Sequence, residues 1–197
     1  LGMRYANETH KTVKIGDTEY TIELDEVDNK SDKTEAVSAA NKLVGDKVSV
    51  VLGSYGSGVS IAAGQIFADA KIPAIGASCT NPQVTQGNDY YFRVCFLDPF
   101  QGSVLSPFPM EQVGANKAYV QSMLGDDYTV GLAKNFVIAF EAAGGEIVAD
   151  ETFVEGTADF SAYLNNAVAG GADVIFAPSA IAYAPQIIEQ ASALGIS

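Results

Sequence analysis

Residues 48–77, VSVVLGSYGSGVSIAAGQIFADAKIPAIGA, contain the most informative pattern of the chain. Val48–Gly53 is a short apolar run, Ser57–Ala70 places apolar side chains three and four residues apart, and Ile72–Ala77 is again a short apolar run. Spacings of three and four are typical of an amphipathic helix, whereas short apolar runs next to glycine or proline are typical of buried strands. The stretch therefore predicts a strand, a helix and a second strand.

The same alternation continues on both sides of this unit. Five further runs have the composition of strands: Glu19–Glu26, Tyr91–Phe96, Lys117–Ser122, Glu146–Phe153 and Asp173–Ala177. Five further stretches have helical spacing: Thr34–Val44, Gln101–Val113, Asp126–Ala143, Thr157–Val168 and Tyr183–Leu194. Apolar strands without strict alternation, separated by helices, favour parallel sheets covered by helices on both faces. The predicted fold class is α/β.

A break in the pattern near Gly114–Asn116 divides the strands and helices into two series. We therefore predict two α/β lobes, residues 1–116 and 117–197. The chain opens on Leu1, and residues 2–7 have the composition of a helix interior, so we expect the sequence to begin inside a longer protein.

Composition excludes several classes of function. The chain has 197 residues, 48% of them apolar, which is enough for a sizeable core. Eleven basic residues against 24 acidic ones give a net charge of −13, which argues against a nucleic-acid partner and an anionic membrane surface. Two cysteines and one histidine are too few for a structural zinc site, and His10 lies in a polar stretch. We therefore expect no metal, no cofactor and no catalytic residue.

Ligands of open parallel sheets bind beyond the carboxyl ends of the strands, where helix N-termini present free N–H groups. Four junctions between a strand and the following helix meet this condition: residues 53–58, 77–82, 125–128 and 178–181. The first is rich in glycine, but it lacks the lysine and the glycine spacing of the nucleotide-binding loops.

Hydroxyl groups stand out in the first three junctions. Ser57, close to Tyr55, is at a helix N-cap position, so it either receives a carboxylate or only caps its own helix. Thr80 offers a hydroxyl and an amide, and the Ser78 carbonyl can accept from an ammonium group, although an ordinary Asn-Pro turn is the alternative. Tyr128 opens a helix, where its phenol either covers an apolar ligand or packs within its lobe.

Four ordered motifs resemble the extracytoplasmic substrate-binding proteins of branched-chain amino-acid ABC transporters. They are residues 76–82 (GASCTNP), 91–102 (YFRVCFLDPFQG), 127–133 (DYTVGLA) and 155–161 (EGTADFS). The resemblance runs from about Asp25 to Gly195. It implies the type I periplasmic-binding-protein fold, in which two Rossmann-like lobes with parallel sheets flanked by helices close on an amino acid. It also implies a chain that is incomplete at both ends and lacks the first strand of its first lobe.

The resemblance assigns roles to individual residues. The residues matching Ser57 and Thr80 hold the α-carboxylate of the ligand, and the Ser78 carbonyl and the Thr80 hydroxyl hold its α-ammonium group. The residue matching Tyr128 comes from the other lobe and closes over the ligand. The predicted ligand-binding set is Tyr55, Ser57, Ser78, Cys79, Thr80 and Tyr128.

The fourth junction departs from the family. Ala180 and Ile181 stand where an aromatic residue is common, and Tyr183 follows two or three residues later. Leucine-type specificity is therefore not implied. By the strand order of the family, Cys79 and Cys95 follow neighbouring strands, so they form either a disulfide or two separate buried thiols.

These observations favour a binding protein that captures a branched-chain or similar aliphatic amino acid between two lobes. It would deliver the amino acid to the membrane permease of an ABC transporter, from the periplasm or as a cell-surface lipoprotein. A ligand-sensing domain of the same fold in a receptor or regulator is the alternative. A hydrolase with Cys79 as its nucleophile is a remote third, because Asp98 or Asp127 would have to serve as its base. A lobe without its first strand exposes apolar surface and sheet edges, so we also expect self-association.

Overall fold

The computed structural model describes residues 1–196. Its strands are β1 (Thr12–Ile15), β2 (Thr18–Thr21), β3 (Val51–Leu52), β4 (Ala74–Gly76), β5 (Tyr91–Arg93), β6 (Lys117–Met123), β7 (Glu146–Phe153) and β8 (Val174–Phe176). Its helices are α1 (Gly2–Thr9), α2 (Lys33–Gly45), α3 (Ser57–Asp69), α4 (Asp98–Leu105), α5 (Pro107–Val113), α6 (Asp127–Ala142), α7 (Ser161–Ala169) and α8 (Ala184–Ala193). A short 3-10 turn, Pro82–Val84, lies between β4 and β5.

The first parallel sheet has the strand order β3-β4-β5. Its core brings together Phe67 from α3, Ala74 from β4 and Tyr91 from β5, and Ala40 from α2 belongs to the same cluster. All three strands run in the same direction because a helix or a turn returns the chain to the same edge of the sheet before each next strand. The predicted α/β alternation of this region is confirmed, with strands shorter than predicted.

The second parallel sheet has the strand order β7-β6-β8. Val120 in β6 packs against Phe136 and Phe140 of α6, whereas Met123 in the same strand packs with the cluster that contains Phe153. Neighbouring positions of a strand point to opposite faces of its sheet, so even and odd residues of β6 serve two different cores. Helices therefore cover both faces of this sheet, as the sequence predicts.

Helices α4 and α5 pack against the second sheet's helix α6. Gly102 in α4 lies so close to α6 that an added Cβ would stand 2.7 Å from the carbonyl carbon of Asn135. Leu105 and Met110 pack against the core cluster of α6. Both helices precede residue 116, so they belong by sequence to the first predicted lobe and by packing to the second sheet. The boundary at residues 116 and 117 stays a prediction.

Two predicted elements are wrong. The run Glu19–Glu26 does not join a parallel sheet, because β2 pairs with β1 in an antiparallel hairpin and residues 22–32 form no strand. The turn of that hairpin contains Gly16 at a φ of 62°, a left-handed conformation that glycine adopts at little cost. The helix predicted at Gln101–Val113 is two helices, because Pro107 has no N–H to continue α4.

Candidate ligand-binding site

The first two junctions are in direct contact with each other. Ser57 is 2% exposed, and its Oγ accepts the backbone N–H of Asn81 at 3.2 Å. In the opposite direction, Ser78 Oγ donates to the carbonyl of Tyr55 at 2.9 Å. Ser57 is the first residue of α3, whose N-terminus has no side-chain cap, so the predicted capping alternative is wrong. The Ser57 hydroxyl links two turns instead.

Arg93 holds the second junction in shape. It lies in β5, and its guanidinium donates to the carbonyls of Cys79, Asn81 and Pro82 at 2.9, 2.8 and 3.2 Å. A fourth hydrogen bond, of 2.6 Å, reaches Thr85 Oγ1. Charge-assisted hydrogen bonds are stronger than neutral ones, and a planar guanidinium presents its donors in a rigid fork. The backbone around Thr80 is therefore positioned from the neighbouring strand.

The two lobes meet at these junctions. Asn81 Nδ2 donates to the carbonyl of Asp127, at the start of α6, at 2.8 Å. Lys33 Nζ lies 2.8 Å from Asp127 Oδ2 and donates to the carbonyl of Gly125 at 3.2 Å. A Cβ on Gly58 would stand 2.8 Å from Asp127 Oδ2, so any other residue there would displace the paired side chains of Asp127 and Lys33. Helix α6 therefore begins directly opposite the turns that contain Ser57 and Thr80.

Two buried polar atoms at this place have no partner. Thr80 Oγ1 and Asp98 Oδ2 lack a hydrogen-bond partner among residues 1–196, and Asp98 is fully buried. The backbone joins the two residues, because the N–H of Asp98 donates to the carbonyl of Thr80 at 3.1 Å. Burial raises the pKa of Asp98, and the side chains of Thr80 and Gln101 lower it by less. Buried polar atoms are nearly always paired, so a polar ligand atom would complete the bonding here.

Tyr128 faces the same place from the second lobe. Burial raises the pKa of its phenol, and the negative charge of Asp98 raises it further. Tyr128 is the second residue of α6 and follows Asp127, whose carbonyl accepts from Asn81 in the second junction.

Cys79 and Cys95 are both free thiols. They follow β4 and β5, which are neighbours in the sheet, as the family's strand order implies. Cys79 is buried in the first core, where its Sγ occupies the space above Gly76, and Cys95 is only partly buried. Of the two alternatives, the structure has the separate thiols, because the Cys79 side chain packs into the core.

Tyr183 does not supply the aromatic side chain that the fourth junction, residues 178–181, lacks. The Tyr183 hydroxyl accepts the N–H of Gly156 at 3.0 Å, and its ring packs edge-on against Phe153 and Phe160. Ile181, in contrast, is 80% exposed. Tyr183 therefore belongs to the core of the second lobe and does not replace the aromatic residue common in the family.

Sequence reasoning missed several residues that build this site. The sequence pattern predicts Asn81 as part of an ordinary turn, and Asp98 only as the base of a remote alternative. The pattern assigns no role to Arg93. Arg93 and Asp98 are the charged residues of an otherwise apolar motif, YFRVCFLDPFQG, and buried charges need partners or a function. That contrast is the signal that could have identified them.

Within residues 1–196, no group of three or more His, Cys, Asp and Glu side chains is arranged to hold a metal ion. Over the same residues, no helix combines the length and the apolar character that crossing a membrane requires. His10 is exposed at the end of α1, where its Nδ1 lies 2.9 Å from Thr9 Oγ1.

The family model described as periplasmic binding protein matches residues 1–197. The chain belongs to the periplasmic binding protein family. An amino acid binding protein from Pseudomonas aeruginosa is 34% identical over 157 residues, which are 79% of this chain and 42% of that protein. A leucine-specific-binding protein from Salmonella typhimurium is 29% identical over 174 residues, 87% of this chain and 46% of that protein.

Solved structures of the family share this fold. The leucine binding protein LivK from Thermotoga maritima superposes with a TM-score of 0.92 at 35% identity, over 98% of this chain and 54% of that one. LivJ from Streptococcus pneumoniae, solved in complex with isoleucine, gives a TM-score of 0.82 at 39% identity, over 90% and 50%. The type I periplasmic-binding-protein fold and the resemblance are thereby confirmed. The chain spans about half the length of these relatives, which are binding proteins and not enzymes.

Proposed function

We propose that this chain is part of an extracytoplasmic solute-binding protein of an ABC transporter. The protein captures an amino acid, branched-chain or similar aliphatic, between its two lobes and delivers it to the membrane permease. One observation carries this proposal: the buried hydroxyl of Thr80 has no partner among the described residues and lies where two junction turns meet α6. The similarity to LivK and LivJ supports the class of ligand.

The α-carboxylate of the ligand is held by Ser57 and Thr80 in this proposal. A serine hydroxyl has one proton and two lone pairs, and Ser57 Oγ uses one lone pair for the N–H of Asn81. Its proton is free to donate to a carboxylate oxygen. The backbone N–H of Thr80 and the first N–H groups of α3 add donors, which the positive end of that helix reinforces.

The α-ammonium group is held by acceptors of the second junction. The carbonyl of Ser78 and the hydroxyl oxygen of Thr80 receive its N–H groups. The side chain of Ser78 does not compete, because its hydroxyl donates to the carbonyl of Tyr55 and holds the turn. Tyr128 approaches from the start of α6 and covers the aliphatic part of the ligand, with Tyr55 and Cys79 beside it.

Neutral polar groups of this kind supply enough binding free energy to capture the ligand. Micromolar affinity corresponds to about 8 kcal/mol. A zwitterion paired at both ends, with an aliphatic side chain removed from water, reaches that range after the cost of association. No covalent step is needed, and capture depends on the lobes closing over the ligand.

The partners and the location follow from the same proposal. The ligand-loaded protein docks on a permease, either as a free periplasmic protein or as a lipoprotein at the cell surface. The binding proteins named above support capture for transport over a sensing role in a receptor or regulator.

Titration calorimetry of the natural-length protein with the twenty amino acids and small aliphatic amides tests the proposal. We expect one or a few aliphatic amino acids to bind with micromolar affinity. Thr80→Ala should weaken that binding at least tenfold, about 1.4 kcal/mol, whereas Tyr183→Phe should leave it within twofold. Absence of heat with every compound would refute the function, and Thr80→Ala binding as tightly as the wild type would refute the site.

A further inference from the structure

The fully buried carboxyl of Asp98 is incompletely paired. Its Oδ1 lies 3.4 Å from Gln101 Nε2, at the outer limit of a hydrogen bond, and its Oδ2 has no partner among residues 1–196. Helix α6 closes the space on one side, since a Cβ on Gly131 would stand 3.3 Å from Asp98 Oδ2. On the other side stands Thr80, whose carbonyl accepts the N–H of Asp98. Two polar atoms without a partner among residues 1–196, Thr80 Oγ1 and Asp98 Oδ2, therefore belong to neighbouring residues of the fold.

The direction of one proton decides what Thr80 can recognise. A threonine hydroxyl has a single proton and two lone pairs. If the proton points into the cavity, the hydroxyl is a donor and suits a carboxylate. If the proton points away, a lone pair faces the cavity and suits an ammonium group. The carboxylate of Asp98 is the acceptor that stands beside this hydroxyl on the side of α4.

We propose that Asp98 is a positioning residue for the ligand's cationic end: its carboxylate accepts the proton of the Thr80 hydroxyl and so turns a lone pair of Thr80 Oγ1 toward an ammonium group. This inference rests on the proposed function, and it goes beyond that function by naming the group that gives Thr80 its acceptor role. The buried negative charge also attracts a cation in its own right.

The charged and titratable groups around Asp98 are few. Arg93 lowers its pKa and Asp126 raises it, and burial, which raises the pKa, is the largest influence. Burial raises the pKa of the Tyr128 phenol and of the Cys95 thiol, and the charge of Asp98 raises both further. Arg93 is occupied by four hydrogen bonds to the second junction. A ligand ammonium group would therefore be the cation that compensates this carboxylate.

The test compares two ligands in the natural-length protein. One is the amino acid that binds most tightly in the calorimetric screen, and the other is its deamino analogue, which keeps the carboxylate and the side chain. Asp98→Asn should raise the Kd of the amino acid by a factor of about 10 to 100. It should leave the Kd of the deamino analogue within threefold. Asp69→Asn, which removes an exposed charge from α3, should change neither value by more than twofold.

A second measurement separates positioning from a purely structural role. Because burial raises the pKa of Asp98, its ionisation at neutral pH opposes folding, so Asp98→Asn should leave the urea midpoint of the ligand-free protein unchanged or higher. In the wild type, the Kd of the amino acid, but not of the analogue, should rise as pH falls from 7 to 4 and Asp98 gains a proton. Asp98→Asn should abolish that pH dependence.

Each other outcome has a distinct meaning. If Asp98→Asn weakens both ligands equally, or lowers the urea midpoint together with the affinity, Asp98 is structural and the inference is wrong. A flat pH profile in the wild type also overturns it, even if the variant fails to fold. A wild type that binds no amino acid refutes the proposed function itself, whatever Asp98 does.

Discussion

Ser57 Oγ accepts the backbone N–H of Asn81 across 3.2 Å, and both residues are at most 7% exposed. This hydrogen bond joins the turn after β3 to the turn after β4, two segments that are separated by the whole of α3. The Asn81 side chain then continues the connection to the carbonyl of Asp127 in the second lobe. Three polar groups thus link both sheets at the candidate site.

Ser57→Ala should lower the free energy of unfolding by about 1–3 kcal/mol, because it leaves the buried N–H of Asn81 without an acceptor. Urea denaturation measures the change. Ser38→Ala is the matched control, since that hydroxyl is exposed on α2 and should matter by less than about 0.5 kcal/mol. Equal stability of Ser57→Ala and the wild type would show that the two turns hold together without this bond.

Arg93→Lys should destabilise the protein by about 2–3 kcal/mol although it keeps the charge. A lysine ammonium cannot reproduce four hydrogen bonds from one planar group to the backbone and side chain of the second junction. The control is Arg4→Lys, because Arg4 pairs with Glu26 on the surface and its side chain is 64% exposed. We expect that control to change stability by less than about 0.5 kcal/mol in the same urea titration. Similar losses for both variants would contradict the role assigned to Arg93.

Gln121→Met should leave stability unchanged or raise it by up to about 2 kcal/mol. Gln121 is fully buried in β6, and neither Nε2 nor Oε1 has a hydrogen-bond partner among residues 1–196. Replacing an unsatisfied buried amide with an apolar side chain of similar volume removes a desolvation penalty. Gln121→Glu should do the opposite and cost at least about 2 kcal/mol, since it buries a charge. A loss above about 1 kcal/mol for Gln121→Met would mean that the amide is satisfied.

The 197-residue chain should associate through the open edge of β3. Within the described residues β3 pairs only with β4, and Leu52 and Val50 are 48% and 44% exposed there. Unpaired apolar strand edges favour pairing with another chain, and an added lysine opposes it. Sedimentation velocity should show concentration-dependent association that Leu52→Lys reduces.

Val168→Lys is the control for this prediction, because it adds the same charge at an exposed position of α7. Association that is insensitive to Leu52→Lys, or equally sensitive to Val168→Lys, would place the contact elsewhere on the surface.

Local pattern was sufficient for most secondary structure. The spacing within Ser57–Ala70 and the apolar runs on either side of it predicted β3, α3 and β4, because helical and extended periodicities depend on neighbouring residues only. It failed at Glu19–Glu26, where a tight turn at Gly16 lets residues 18–21 pair with an adjacent segment instead of a distant strand. The partner of a strand depends on which other segments compete to pair with it, and the composition of the strand does not specify this.

Composition and periodicity are enough to predict the α/β class, the two parallel sheets and the set of hydroxyl-bearing turns from which a site could be chosen. Three features depend on how distant segments pack: Ser57 bonds to Asn81, Arg93 shapes the loop of Thr80, and Asp98 Oδ2 is buried near that threonine without a partner among residues 1–196. Hydrophobic periodicity can be recognised in the sequence because it depends on the nearest residues along the chain. Burial and the pairing of polar groups depend on which distant segments the packing of α6 against the first two junctions brings together.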